Sequence, residues 1–208
     1  MDKKQYNTKI GLYFGSFNPI HNGHLILAEQ ILENTDLDQI WFVVTPQNPL
    51  KKSSSLLDNR TRLALVRTAI ADNYRFKACD IEFSLPVPSY TINTLTYIQE
   101  KYPDKSFSLI IGEDNLNTFH KWKNHSEILK NYRILVYPRN KCEKSQLANH
   151  QNVLMINAPE IEISSSLIRE NIRKNKSIRY LLPESVRTEI EKGNYYKNQT
   201  STDSVAKL

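Results

Sequence analysis

The sequence contains few cysteines and no long apolar run, and both features narrow the class of protein. Two cysteines occur among 208 residues, Cys79 and Cys142. They are too few for a disulfide framework and lack the close spacing of a metal site. No stretch approaches the roughly 18 apolar residues of a membrane-spanning helix, and the first residues, MDKKQYNTKIGLYFG, include no apolar segment of signal-peptide length. These absences predict a soluble, cytoplasmic protein.

Concentrated positive charge is also absent. The net charge is +6 and the pI is near 9.2, yet Lys and Arg are scattered and form no long basic block. We interpret the charge mainly as a solvated surface with a subset that faces phosphate groups, and not as a nucleic-acid-binding surface. Internal repeats and linker-like segments are absent too, so we expect a single domain over residues 1–196 and a flexible C-terminal tail over 197–208.

The chain does contain an alternation of strand-like and helix-like patterns. Strand patterns occur at residues 9–14, 39–45, 75–83, 107–111, 134–137 and 153–156. Helical patterns follow the first three, at 25–32, behind a candidate N-cap at Asp58, and at 91–102. This order predicts an α/β fold, a Rossmann-like doubly wound parallel sheet of about six strands with helices on both faces. Such sheets bind ligands at the carboxyl ends of their strands.

The most distinctive segment joins the first strand to the first helix and reads Gly15-Ser16-Phe17-Asn18-Pro19-Ile20-His21-Asn22-Gly23-His24. A helix N-terminus attracts anions, glycine allows close backbone approach, and the two imidazoles carry donors for phosphate oxygens. A histidine pair also occurs in polar turns and in zinc sites. Zinc needs further protein ligands, and the other histidines show no ligand-like spacing. The segment therefore indicates a phosphate-binding turn.

A second anion-binding pattern lies near the other end of the chain, in the run Glu162-Ile163-Ser164-Ser165-Ser166-Leu167-Ile168-Arg169. Serines before an apolar-periodic stretch cap a helix, and they also present hydroxyl groups at its N-terminus. Arg169 follows about one turn later and can fork onto phosphate oxygens. The pattern leaves open whether the serines only cap the helix. Two such helix starts in one chain suit a ligand with several phosphates.

These motifs carry a family resemblance. GSFNPIHNGH resembles the GxFxPxHxGH signature of the HxGH nucleotidylyltransferase superfamily, and ISSSLIR resembles its closing ISSTxIR motif. SYTINTL at residues 89–95, IIGED at 110–114 and PQNPLK at 46–51 are similar to segments of bacterial nicotinate-nucleotide adenylyltransferases. The chain departs from that family at Phe14, Ser16 and Asn18, where glycine, threonine and aspartate are usual. A role that needs a carboxylate at position 18 is therefore put in question.

The resemblance implies transfer of the adenylyl group of ATP to nicotinate mononucleotide, which gives deamido-NAD and pyrophosphate in NAD biosynthesis. It implies catalytic roles for His21, His24 and Arg169. The implied ATP-binding residues are Gly15, Ser16, Phe17, His21, Gly23, His24, Ser164, Ser165, Ser166 and Arg169. The implied residues for nicotinate mononucleotide are Lys51, Thr91, Gly112, Asp114 and Trp122. Mg²⁺ is the expected cofactor, held mainly by ATP phosphates and water without a dedicated protein metal site.

Several alternatives stay open at this point. Trp122 can be an ordinary core aromatic and Thr91 a helix cap. The acceptor can instead be nicotinamide mononucleotide, phosphopantetheine or a flavin mononucleotide. A nucleic-acid-linked protein is suggested by the +6 charge and by the similarity of HNGH to the HIGH motif of class I aminoacyl-tRNA synthetases, although no KMSKS-like segment follows. A nucleotide-binding protein without catalysis is a separate alternative. We expect no nucleic-acid or membrane partner, and a homo-oligomer remains open.

Overall fold

The computed structural model describes residues 8–47, 56–139 and 144–197, and its centre is a six-stranded sheet. The strands are β1 (Thr8–Gly15), β2 (Gln39–Val44), β3 (Phe76–Cys79), β4 (Lys105–Gly112), β5 (Arg133–Tyr137) and β6 (Val153–Met155). All neighbouring strands pair in parallel, in the order β3-β2-β1-β4-β5-β6. The predicted Rossmann-like doubly wound sheet is confirmed.

Helices cover both faces of this sheet. They are α1 (Asn22–Glu33), α2 (Asn59–Ala69), α3 (Thr91–Lys101), α4 (Glu113–Asn117), α5 (His125–Asn131), α6 (Ser165–Arg173) and α7 (Glu184–Lys192). Buried residues of α1, α2, α6 and α7 form one core, and those of α3, α4 and α5 form the other. Because side chains alternate along a strand, Phe42 and Val44 belong to the first core and Trp41 and Val43 to the second.

The reversal of strand order fixes where a ligand site can form. From β1 the chain adds strands first on one side, through β2 and β3, and then on the other, through β4, β5 and β6. The connections at the carboxyl ends of β1 and β4 therefore diverge and leave a crevice between them. The last six residues of β4 are all buried, as is typical of a central parallel strand.

Two predicted helix starts are confirmed by side-chain caps. Asp58 Oδ1 accepts a hydrogen bond from the Thr61 backbone N–H at 3.0 Å, at the start of α2. Ser164 Oγ accepts one from the Leu167 N–H at 3.2 Å, at the start of α6. Each side chain satisfies a backbone donor that has no partner within its own helix.

The predicted strand at residues 75–83 is wrong in its second half. β3 ends at Cys79, and Ile81–Ser84 form a short 3-10 helix. The chain turns because the Phe83 N–H donates to the Asp80 carbonyl at 2.8 Å. The turn buries the Glu82 carboxylate, which accepts a hydrogen bond from Thr94 Oγ1 at 2.7 Å. The alternation of Ile81, Glu82 and Phe83 resembles that of a strand. The hydrogen bond from Thr94 instead stabilises the turn, with Glu82 buried.

Some predictions fall partly or wholly on residues that the structure does not describe. Lys51 and most of the predicted tail, residues 198–208, lie outside the described ranges, and the single-domain boundary stays a prediction. Within those ranges, no helix is both long enough and apolar enough to cross a membrane.

Candidate active site

A cavity of about 240 Å³ lies at the carboxyl ends of β1 and β4, where the strand order reverses. Gly15 and Ser16 form part of its wall, and Gly112 forms another part at the end of β4. Thr91 and Trp122 line the remaining side. Segments far apart in the sequence thus meet at one edge of the sheet, as the strand order predicts.

The histidine turn, residues 15–24, contributes Gly15 and Ser16 to the wall of this cavity, whereas His21 and His24 are not among its lining residues. His21 is the N-cap residue of α1, and its backbone N–H donates to His24 Nδ1 at 3.2 Å. The two imidazole rings stack with centroids 3.7 Å apart. Because Nδ1 of His24 accepts a hydrogen bond, its neutral ring carries the proton on Nε2. His24 therefore offers a hydrogen-bond donor at Nε2.

His21 is a neutral group at physiological pH. Burial and, to a smaller extent, the positive charge of Arg139 together lower the pKa of its imidazole to about 4. The side chain is 5 % exposed, and within the described residues its Nδ1 atom has no hydrogen-bond partner. His21 can thus hydrogen-bond to a ligand, but it does not bring a permanent positive charge.

Phe17 supports the histidine turn from the core. Its side chain is 2 % exposed, and its ring centroid lies 5.1 Å from that of His24. Its backbone φ is 43°, a left-handed conformation that residues other than glycine rarely adopt. Such conformations cluster at functional sites, where the surrounding structure enforces them. Although the sequence places Phe17 among ATP-binding residues, the structure places its ring against His24.

Two glycines of the turn are required by the turn's own aromatic rings. A Cβ atom at Gly15 would lie 2.8 Å from the Phe17 ring, and one at Gly23 would lie 3.0 Å from His21 Nδ1. Both distances are shorter than ordinary van der Waals contact. The sequence analysis attributes these glycines to close ligand approach. The structure adds an internal reason, because a side chain at either position would displace Phe17 or His21.

Arg62, which the sequence analysis did not identify, anchors the same turn. The side chain is fully buried, and its Nη1 donates to the carbonyl oxygens of Ser16 at 2.5 Å and Thr45 at 2.9 Å. One guanidinium therefore ties the end of β1 to the end of β2. A sequence signal did exist, because Arg62 lies on the same helical stripe as the buried Leu65 and Val66.

The run at residues 162–169, the serine–arginine motif, contacts the histidine turn directly. Ser165 Oγ donates to the Pro19 carbonyl at 2.8 Å, and Arg169 Nη1 donates to the Asn18 carbonyl at 2.8 Å. A second nitrogen of Arg169, Nη2, donates to Ser166 Oγ at 3.2 Å. Ser164 caps α6, while Ser165 and Ser166 make bonds outside the cap. The two motifs thus form one constellation, although they lie near opposite ends of the chain.

Of the described residues predicted to bind the acceptor, Thr91, Gly112 and Trp122 line the cavity and Asp114 does not. Thr91 is the first residue of α3 and not its cap, which is Tyr90. Trp122 is half-buried against Phe119, and its buried Nε1 has no hydrogen-bond partner among the described residues. Asp114 does not line the cavity; its carboxylate is more than half exposed and lies 4.0 Å from Arg139 Nε. A Cβ atom at Gly112 would clash with this carboxylate.

The floor of the cavity holds a carboxylate that the sequence analysis missed. Glu82 is 1 % exposed, and its Oε2 has no hydrogen-bond partner in the described part of the chain. Burial raises the pKa of its carboxyl group, while the hydroxyls of Thr94, Thr45 and Ser89 act in the opposite direction. No signal in the sequence marks Glu82, because it falls within the strand-like alternation of residues 81–83.

Arg139 is a further cation beside the site that the sequence analysis did not select. It follows β5, and its Nη2 donates to the Tyr137 hydroxyl at 3.4 Å. That hydroxyl lies 3.5 Å from the hydroxyl of Tyr13, whose ring contacts His24 with centroids 6.0 Å apart. The rule that functional residues follow parallel strands would have identified Arg139, since it stands two residues beyond the end of β5.

The fold and this constellation define a nucleotide-binding α/β protein, and comparison with known proteins specifies its class. The sequence model described as cytidylyltransferase-like matches residues 12–171 of this chain. Two proteins named "Probable nicotinate-nucleotide adenylyltransferase" are similar over most of their length. The one from Flavobacterium psychrophilum is 56 % identical over 91 % of this chain and 99 % of its own. The one from Cytophaga hutchinsonii is 55 % identical over the same shares. The chain belongs to the nicotinate-nucleotide adenylyltransferase family.

Solved structures agree in fold. A Plasmodium falciparum nicotinic acid mononucleotide adenylyltransferase complexed with NaAD superposes with a TM-score of 0.78, at 22 % identity, over 91 % of this chain and 98 % of that one. A putative nicotinate-nucleotide adenylyltransferase from Vibrio parahaemolyticus superposes with a TM-score of 0.68, also at 22 % identity, over 88 % and 99 %. At this identity the likeness establishes the shared fold.

Proposed function

We propose that this protein transfers the adenylyl group of ATP to nicotinate mononucleotide and releases pyrophosphate. The product is deamido-NAD, so the reaction is a step of NAD biosynthesis. The observation that supports this most strongly is the direct contact between the histidine turn and the serine–arginine motif. Arg169 and Ser165 hydrogen-bond to the carbonyls of Asn18 and Pro19 beside the cavity. The names of the family's relatives support the choice of acceptor.

The reaction is an in-line displacement at phosphorus. A phosphate oxygen of the mononucleotide attacks the α-phosphorus of ATP, a new P–O bond forms, and the bond to the bridging oxygen of the β-phosphate breaks. Pyrophosphate takes the electron pair of that bond and leaves. Such a reaction needs little covalent chemistry from the protein. Positioning of both substrates and stabilisation of the developing negative charge are then the main contributions.

On this proposal His24 donates from Nε2 to the α-phosphate, because its Nδ1 is occupied by the His21 backbone. His21, which is neutral, supports it and contacts the triphosphate. Arg169, with Ser165 and Ser166, holds the β- and γ-phosphates and so stabilises the leaving pyrophosphate. Arg169 Nε is buried and has no hydrogen-bond partner among the described residues, which leaves donor capacity for a phosphate oxygen.

The acceptor is assigned to the cavity beside the turn. Trp122 offers an aromatic surface for the nicotinate ring, and Thr91 and Gly112 line the same cavity. Lys121 and Lys123 also line the cavity and supply positive charge for a carboxylate. Lys51 and Asp114 stay predictions, since the first lies outside the described residues and the second does not line the cavity.

Mg²⁺ is proposed as the cofactor, bound to the phosphates of ATP and to water. In the described ranges no three His, Cys, Asp or Glu side chains cluster as the ligands of a metal ion would. Bound in this way, Mg²⁺ would neutralise part of the phosphate charge. The cytoplasmic location and the absence of a nucleic-acid partner stay predictions, and a homo-oligomer stays open.

A coupled pyrophosphate assay tests the proposed function. ATP is supplied with nicotinate mononucleotide, nicotinamide mononucleotide, phosphopantetheine or flavin mononucleotide, and initial rates are compared at equal concentrations. We expect the acid mononucleotide to give the highest kcat/KM. Faster turnover of the amide would overturn the choice of acceptor, and release of pyrophosphate with none of the four would overturn the proposed activity.

A further inference from the structure

The turn that follows α7 packs against the histidine turn. Tyr196 lies in this turn, three residues beyond Gly193, and it packs against the core that α1, α2 and α6 share. Its hydroxyl donates a hydrogen bond to Asn18 Oδ1 at 3.0 Å. The same oxygen accepts the backbone N–H of Leu57 at 3.2 Å. The side chain of Asn18 is thus held from two directions by segments that are distant in sequence.

The backbone of Asn18 carries the contact to Arg169. Asn18 is 3 % exposed, and its carbonyl accepts the hydrogen bond from Arg169 Nη1 at 2.8 Å. The Tyr196 hydroxyl donates to the side chain of this residue, and Arg169 donates to its backbone carbonyl. A change in the orientation of Asn18 therefore changes the position of the guanidinium that the proposed function assigns to the leaving phosphates.

We propose that Tyr196 is a positioning residue for the triphosphate end of the ATP site, acting through Asn18 on Arg169 and the histidine turn. This inference rests on the proposed function for the identity of the ligand. Tyr196 itself contacts neither ATP nor the reacting atoms. It fixes the turn in the arrangement that binds ATP, so its loss lowers the fraction of molecules that are ready to bind.

The local electrostatics keep the Tyr196 hydroxyl available as a donor. Burial raises its pKa well above the ordinary tyrosine value, although the nearby positive charges of Arg169 and Arg62 act in the opposite direction. The hydroxyl therefore stays protonated at neutral pH. As an amide, Asn18 accepts its two hydrogen bonds without placing a formal negative charge beside Arg169.

Comparison of Tyr196→Phe with Tyr195→Phe tests the proposal. The adjacent Tyr195 is also half-buried and packs against the same core, so it is a matched control that loses one hydroxyl. We measure the Kd of ATP by calorimetry without acceptor, the KM of each substrate and the thermal midpoint. For Tyr196→Phe we expect the Kd and KM of ATP to rise about fivefold, the factor for one buried neutral hydrogen bond, while the KM of the mononucleotide stays within about twofold. Tyr195→Phe is expected to change none of these affinities.

A second pair of variants checks the route through Asn18. Asn18→Ala is expected to weaken ATP binding more than Tyr196→Phe, because it also removes the acceptor for the Leu57 N–H. Adding Tyr196→Phe to Asn18→Ala is expected to weaken binding by less than about twofold further, since the two residues form one interaction. Additive losses would overturn the proposed route.

The outcomes also separate this proposal from the proposed function. If Tyr196→Phe lowers the thermal midpoint but binds ATP as tightly as the wild type, Tyr196 is a packing residue and the inference is wrong. A wild type that binds ATP and releases no pyrophosphate with any acceptor overturns the proposed activity and leaves the ATP comparison intact. A wild type that does not bind ATP overturns both.

Discussion

Replacing His24 separates the chemical role of its ring from its structural role. The imidazole accepts the His21 backbone N–H through Nδ1 at 3.2 Å and stacks on the His21 ring at 3.7 Å. Its Nε2 is the donor that we assign to the α-phosphate. His24→Ala removes all three features. His24→Asn keeps an oxygen near the position of Nδ1 and places no donor near that of Nε2. The two variants therefore share the loss of the phosphate donor and differ in the support of the turn.

The size of each effect follows from these contacts. Loss of one preorganised donor to a transition-state oxyanion costs about 10²–10³ in turnover, or about 2.7–4 kcal/mol. Loss of the hydrogen bond to the half-exposed His24 ring costs about 1 kcal/mol of folding free energy. We expect both variants to lose turnover by about 10²–10³, with the free energy of unfolding of His24→Asn closer to that of the wild type.

The assay is saturation kinetics of pyrophosphate release, in which one substrate is varied while the other is held at saturation. Urea unfolding of the same samples measures stability. His24→Gln is a useful third variant, because its longer side chain carries an amide N–H toward the position of Nε2. It is expected to keep more turnover than His24→Asn. Turnover of His24→Ala within about threefold of the wild type would refute the assignment of this residue, whatever the stability of the variant.

Three further predictions concern buried polar groups. The His21 imidazole has a pKa of about 4 in the folded protein and about 6.5 in the unfolded chain. Between these values the unfolded chain binds more protons, so the free energy of unfolding falls by roughly 3 kcal/mol as the pH drops from 7 to 4. Urea unfolding at several pH values should show this slope in the wild type and lose it in His21→Gln; an equal slope in both would contradict the pKa shift. Arg62→Met should cost several kcal/mol of unfolding free energy, because it leaves buried carbonyls without donors, whereas Arg60→Met, at an exposed position of the same helix, should stay within about 0.5 kcal/mol; similar losses in both would show that Arg62 is not an anchor. Glu82→Ala should lower the unfolding free energy by about 1–3 kcal/mol, because the buried Thr94 hydroxyl loses its acceptor, and Glu82→Gln should restore most of it; no difference between these two variants would refute the role of the Thr94 hydrogen bond.

The sheet was predictable because the strands of a doubly wound fold leave a strong local signal. β2 and β4 are short apolar runs, and such runs are buried on both faces whatever the details of packing. The end of β3 was not predictable in this way. Ile81, Glu82 and Phe83 alternate as a strand does, whereas the turn there depends on the bond from the Phe83 N–H to the Asp80 carbonyl and on the hydrogen bond from Thr94 to the Glu82 carboxylate.

The site was predictable to the extent that its residues are contiguous in sequence. The histidine turn and the serine–arginine motif are each a short run with recognisable helix-start chemistry, and the structure brings them into contact. Arg62, Asn18 and Tyr196 serve the same turn through bonds between distant segments. Arg62 shares the buried stripe of α2 and Asn18 lies within the histidine motif, but the bonds that give the three residues their roles follow only from the packing. Arg139 is an intermediate case, since its place after β5 was readable from the strand order.

The contact between the two ends of the chain also has a consequence for protein synthesis. A growing polypeptide contains the histidine turn, residues 15–24, long before Ser165, Arg169 and Tyr196 leave the ribosome. Until then the carbonyls of Asn18 and Pro19 lack the donors that hold them in the finished protein. The nascent chain therefore carries both histidines without the bonds from Ser165 and Arg169 that join the two motifs. On the proposed function, the triphosphate end of the site is therefore complete only in the last stage of translation.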